Sequence, residues 1–144
     1  MQNFIYNDGG RKLAGYTGDA RDCVVRAIAI ATKIPYQEVY DAINGLSQSE
    51  RIGKKKKRKS NARTGVFKPT YKKFLESLGW HWTPTMTIGS GCTVHLRAEE
   101  LPKGTIVVSV SRHLVTVIDG VINDTHDPSR NGSRCVYGYW TKNA

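Results

Sequence analysis

Apolar positions recur with a helical period in the first half of the chain and with a period of two in the second. In RDCVVRAIAIAT, which begins at Arg21, Val24, Ala27, Ile28 and Ala31 follow the i, i+3, i+4, i+7 pattern, while Val25, Ala29 and Ile30 make the other faces apolar too. The pattern predicts a central helix buried on most sides. Asp19 or Asp22 stands where an N-cap belongs, its side-chain oxygen accepting backbone N–H groups that lack a partner within the helix. A second helix is expected over PYQEVYDAING, where Pro35 suits the first turn, Tyr36, Val39, Tyr40 and Ile43 share a face, and Gly45 can stop it. A third is expected over KPTYKKFLESLGW, with Pro69 at its start, Tyr71, Phe74, Leu75 and Leu78 on one face, and Gly79 at its end.

From Trp80 onward β-branched residues dominate, and HWTPTM, CTVHL, TIVVSVS, HLVTVI, VINDTH and CVYGYW read as short strands. Asp119-Gly120 is a two-residue hairpin turn between HLVTVI and VINDTH. The residues up to about Gly18 are only weakly periodic and read as an extended arm. Helices followed by antiparallel strands make an α+β plan. At 144 residues the chain is the size of one domain, 1–144, with a continuous apolar core.

One stretch, at about 47–64, has no apolar period and reads as a long connection, or as an extension of the second helix that becomes ordered with a partner. It carries Lys54, Lys55, Lys56, Lys57, Arg58 and Lys59, so that more than half of the formal net charge of +10 lies in one segment. Such a block attracts nucleic acid, an acidic protein or anionic lipid, or is simply a solvated loop. No run reaches the roughly 18 uninterrupted apolar residues of a membrane helix, since Arg26 breaks the best stretch, which excludes a membrane span. Cys23, Cys92 and Cys135 are odd in number and widely spaced, and the N-terminus has no secretory pattern; free thiols in a reducing cytoplasm are the expectation.

Chemistry concentrates at Cys23. With Asp22 as cap it stands in the first turn of the buried helix, where free N–H groups and the helix dipole favour a thiolate. Its own N–H is free to donate to an oxyanion developing on a substrate carbonyl. A thiol nucleophile needs an imidazole to take and return a proton, and the imidazole needs an orienting acceptor. His113 opens HLVTVI. With Asp119-Gly120 as the turn, Val115 lies opposite Asp124 and His113 opposite His126, making Asp124 a diagonal same-face neighbour of His113. Asn123 and Asp127 fall on the other face.

This order of elements, with RDCVVRAIAIAT and RHLVTVIDGVINDTHDPS, resembles the papain-like cysteine peptidase superfamily, and within it the smaller C39-type branch; both stretches are also similar to short uncharacterised bacterial and phage proteins. The resemblance implies a papain-like α+β fold, its Cys-bearing helix packed on a C-terminal antiparallel sheet. It further implies Cys23 as nucleophile, His113 as general base and acid, and Asp124 as the orienting carboxylate. The superfamily usually carries a Gln about six residues before the cysteine to complete the oxyanion hole; here that place falls near Thr17, whose hydroxyl is the available donor.

The reading that results is a cysteine-dependent hydrolase of peptide, isopeptide or other amide bonds, without cofactor, its basic segment recruiting an acidic partner or nucleic acid. A transferase resolving the same thioester with another nucleophile has the same residues. The alternative from another class is a non-catalytic protein of this fold that engages nucleic acid or a host protein through residues 54–59. Cys92 and His95 have a C-x2-H spacing that His126 or Cys135 would extend, but the second half of a zinc motif is missing, so no metal is expected. GSG at 89–91 lacks the lysine and helix of a phosphate loop and reads as a turn. Trp80, Trp82, Tyr137 and Tyr139 are expected in the core or groove wall.

Overall fold

In the computed structural model, which describes residues 3–87 and 89–142, the apolar periods become three helices packed on a six-stranded mixed sheet. The first helix, α1 (Cys23–Thr32), begins at the cysteine and buries Val24, Val25, Ala27, Ile28 and Ala29. Lys33, in the left-handed region at φ 61°, closes it by donating its N–H to the Ala29 carbonyl. Helix α2 (Tyr36–Ser47) buries Tyr36, Val39 and Ile43. It does not stop at Gly45: nothing lies within 4 Å of the place a Cβ would occupy there, and the helix runs through it to Ser47. Helix α3 (Lys68–Ser77) starts with proline in its first turn and ends before Gly79, whose φ of 89° no continuing helix accepts.

The strands are β1 (Phe4–Tyr6), β2 (Trp80–Pro84), β3 (Thr105–Val110), β4 (His113–Ile118), β5 (Val121–Asp124) and β6 (Val136–Lys142), in the order β1-β5-β4-β3-β6-β2. The expected wholly antiparallel sheet is corrected at one edge. There β1, in the stretch read as an extended arm, lies parallel to β5 with Phe4 opposite Ile122. All three of its residues are exposed, so β1 is held by backbone pairing and carries no alternation to reveal it. CTVHL, expected as a strand, forms only an isolated bridge between His95 and Cys135, because its chain turns into the 3-10 segment Ala98–Glu100.

The sheet is covered on both faces. On one, α1, α2 and α3 enclose Ile28, Ile43 and Leu75 together with Val107, Leu114 and Trp140 of the sheet. On the other, Leu96 and Leu101 cover Ile106, Val108, Val115, Val117 and Ile122. A hydrogen bond from Thr116 Oγ1 to the Ala27 carbonyl, 2.6 Å, pins β4 to α1. Trp80 is buried and Trp82 packs on Trp140, as expected of groove and core aromatics, whereas Tyr137 is exposed. Among the described residues no helix is long and apolar enough to cross a membrane.

The segment after α2 is a loop, and not an extension of the helix. It folds back on the body of the protein: Ala62 is fully buried and donates its N–H to Asn44 Oδ1 at 2.8 Å, and Glu50 binds Lys56 at 2.8 Å and the Ser60 N–H at 2.7 Å. Lys54, Lys55, Lys57, Arg58 and Lys59 remain exposed.

Candidate active site

Three elements bring Cys23, His113 and Asp124 together. The β4–β5 hairpin turns at Asp119 (φ 47°) and Gly120 (φ 80°), and its register of Thr116 to Asn123, Val117 to Ile122 and Ile118 to Val121 is the one the two-residue turn dictates. Continued by two residues, that register sets Asp124 diagonally across from His113. Their side chains meet with His113 Nε2 2.6 Å from Asp124 Oδ2. Nε2 is thereby occupied, leaving Nδ1 as the ring nitrogen available to Cys23, which shares a cleft with His113. The Leu114 N–H acts on the thiol as well, so the start of β4 contributes both an imidazole and an amide to its surroundings.

The electrostatics favour charge separation. Burial pushes the Cys23 thiol up, but the hydrogen bond and positive charge of His113, the Leu114 N–H and the charge of Arg26 outweigh it and hold the thiol below its ordinary value. Burial likewise opposes protonation of His113, yet the bonds to Asp124 and Cys23 and their negative charges raise it to about 9. Asp124 is lowered despite its burial, by the bond to His113 and its charge, the Thr125 N–H and Arg26. All three shifts run the same way, toward thiolate, imidazolium and carboxylate.

One expectation fails here for an identifiable reason. Asp22 occupies the N-cap position, but its side chain makes no capping bond. It is instead buried as an acceptor for Arg26 and for the Tyr36 hydroxyl at 2.6 Å, and it is ion-paired with Arg11, whose Nε lies 3.3 Å away. Three side chains converge on it, and its φ of −101° with ψ of 25° is not the extended backbone of a side-chain cap. Thr17 is not among the residues that line the cleft around Cys23. It lines a neighbouring cavity with Tyr16, Gly18 and Asp22, and its carbonyl accepts Arg63 Nη2.

Arg26 is a member of the site that the sequence disguised as an interruption of an apolar helix. Buried itself, it bridges Asp22 to Asp124 Oδ1 at 3.3 Å and so fixes the carboxylate that orients His113. Tyr71 is a further neighbour: burial raises its hydroxyl, a hydrogen bond to Ser109 lowers it, and the negative charge of Cys23 raises it again. A cleft of about 410 Å³ opens onto Cys23 and His113, with Ala20, Arg21, Arg26, Arg112 and His126 in its walls. The His126 ring lies 5.3 Å from that of His113, so it belongs to this cleft and not beside Cys92.

The remaining cysteines are not free. Cys92 and Cys135 form a disulfide with Cα atoms 5.7 Å apart, correcting the expectation of three thiols and removing its argument for a reducing compartment. The physical reason is the bridge between His95 and Cys135, which draws the two loops into register. His95 Nε2 lies 3.5 Å from Cys92 Sγ, and its Nδ1 lies 3.1 Å from Glu100 Oε1. Ligand atoms of Cys92, His95 and Cys135 fall within 4.8 Å of one another, as do those of His113, Asp124 and His126. The first set has both sulfurs committed to each other, and the second has Asp124 committed to His113.

Comparison with known proteins adds no relative: no family model, curated protein or solved structure matches the chain.

Proposed function

We propose that this protein is a cysteine-dependent hydrolase of amide bonds with a papain-like arrangement of its α+β fold. The observation that carries the reading is the His113 imidazole, held by Asp124 at 2.6 Å, sharing one cleft with Cys23 at the first residue of a buried helix. The Cys23 thiolate attacks a carbonyl carbon, forming a C–S bond and pushing the π electrons onto oxygen. The N–H of Cys23, in the first turn of α1, donates to that oxyanion. The imidazolium passes its Nδ1 proton to the departing nitrogen, the C–N bond breaks, and an amine leaves a thioester behind. Water then gives its proton to His113 and attacks the thioester, releasing a carboxylic acid and restoring the thiolate–imidazolium pair. Asp124 stays ionised throughout and keeps the ring in register.

The test is the rate at which iodoacetamide alkylates Cys23, followed by mass spectrometry against pH in wild type and His113→Ala. Cys23 is the free cysteine among the described residues, so the signal is unambiguous. Rapid alkylation that persists well below the ordinary thiol value of about 8.5, and disappears in His113→Ala, is the expected result. A wild-type profile with the midpoint of an ordinary thiol overturns the reading.

The exposed cations of 54–59 favour the second reading, a binding protein that uses this fold without catalysis. In that case Cys23→Ala leaves function intact, and affinity falls steeply with salt.

A further inference from the structure

Two cavities meet at the same pair of residues. Ala20 and Arg21 form part of the wall of the cleft that holds Cys23, and also of a second cleft, about 630 Å³, whose other walls are Asp19, Arg58, Arg63 and Thr64. The second cleft is therefore an extension of the first, walled on its far side by the basic loop. That gives the aperiodic segment a place in the fold: Asn61–Gly65 pairing and the burial of Ala62 hold Arg58 and Arg63 against the cleft.

The joined clefts present Arg21, Arg58, Arg63 and Arg112, against the single carboxylate of Asp19. Arg26 is left out of this balance because Asp22 and Asp124 neutralise it. None of the four forms an ion pair with a carboxylate among the described residues. Arg63 donates to the carbonyls of Thr17 and Asp19, and Arg58 donates to those of Lys59 and Gly65 while lying over the Phe67 ring. Carbonyls orient a guanidinium without cancelling its charge. Like charges gathered on one concave surface repel each other, and the fold gains nothing from that repulsion; a ligand carrying several anionic groups relieves it.

We propose that the extended cleft is a binding site for an acidic peptide, so that the amide presented to Cys23 is flanked by Glu or Asp side chains held by Arg21, Arg58, Arg63 and Arg112. The inference rests on the thiol chemistry proposed above, which demands an acyl carbon in the ligand; a polynucleotide offers none. The described walls of both clefts also contain no Phe, Tyr or Trp on which bases would stack. Guanidinium forks match carboxylates in geometry as well as charge.

The experiment compares two thiol-directed probes, iodoacetyl-Glu-Glu-Glu and iodoacetyl-Gln-Gln-Gln, on the intact protein, with iodoacetamide as the uncharged reference. Cys23 should be alkylated about tenfold faster by the Glu probe than by the Gln probe at low salt, and the preference should collapse at about 0.5 M salt. Arg21→Gln and Arg112→Gln, both at exposed side chains, should each reduce the preference severalfold. Lys103→Gln, before the end of β3 remote from His113, should keep it. Equal rates for the two probes, with fast reaction of iodoacetamide, would refute the acidic substrate while leaving the catalytic thiol standing. Slow iodoacetamide reaction refutes the thiol chemistry instead. The cleft is then judged by fluorescence anisotropy of a labelled acetyl-Glu-Glu-Glu-Glu on Cys23→Ala protein, where salt-sensitive binding supports it and none overturns it. Stronger protection of Cys23 by a single-stranded oligonucleotide than by an acidic peptide of equal charge also overturns it.

Discussion

Among the described residues two Cys–His–carboxylate sets stand out, and they differ in every property that bears on thiol reactivity. Cys23, His113 and Asp124 come from three different elements, α1, β4 and β5, and the His–Asp pair is nearly enclosed, its side chains 11% and 4% exposed. Cys92, His95 and Glu100 come from one short stretch of loop, with the histidine and carboxylate 30% and 25% exposed. In the first set the sulfur is free, sits at a helix start and is acted on by a backbone N–H. In the second the sulfur is bonded to Cys135. Residue types alone therefore do not define a nucleophile. Burial strengthens the His113–Asp124 bond, the helix start stabilises a thiolate, and a sulfur without a covalent partner can use both. The loop set uses the same groups as a staple joining two loops.

The comparison can be broken from either side. Cys92→Ser should cost the most, about 4 kcal/mol of stability for a closed loop of this length, seen as a lower midpoint in urea, while Cys23 keeps its alkylation rate at neutral pH. If stability is unchanged, the staple role fails. His113→Ala should slow alkylation of Cys23 near pH 6 by about 10²-fold, the loss expected when a thiolate reverts to a thiol of ordinary acidity. Asp124→Asn should slow it less, about tenfold, because the imidazole remains but its positive charge is no longer supported. Stability carries the same signature. His113, raised to about 9, contributes fully below its ordinary 6.5 and loses that contribution as pH climbs through about 9. Wild type should accordingly lose more Tm across that window than His113→Gln. Smallest of all, His95→Ala should leave the Cys23 rate within about twofold, as independent sites do; a larger change would mean that the two sets are coupled.

Legibility in the sequence followed the range of the interaction. The period of α1 and the Asp119-Gly120 turn are local, and the turn alone gave the parity that sets Asp124 beside His113. The pairing of Cys92 with Cys135 depends on a 43-residue separation closed by the sheet, and the odd count of three, at wide spacings, pointed instead to free thiols. Strand β1 is three exposed residues joined to the far end of the chain, with no apolar alternation to mark it. Asp22 offered a plausible cap, but its partners Arg11 and Tyr36 lie on either side of it in the sequence and converge only in the fold. Arg26 was legible as an obstacle to membrane insertion and illegible as a bridge, since its role needs both aspartates in place. The arginines of the extended cleft are a similar case, for Arg21 and Arg63 share a wall only after the Arg21 N–H has donated to the Arg63 carbonyl at 2.8 Å.

The hairpin that joins His113 to Asp124 has a further consequence for the newly made chain. His113 and Asp124 sit on adjacent strands linked by a two-residue turn, so they can find each other quickly; Cys23 lies most of the chain away and meets His113 only when α1 docks on β4. Loop closure over that distance comes late. Until it is complete, Cys23 has neither imidazole nor Leu114 N–H and behaves as any other cysteine. A nascent or partly unfolded chain is on that account chemically quiet at Cys23, because the surroundings that lower its thiol exist only after a contact between distant parts of the chain has formed.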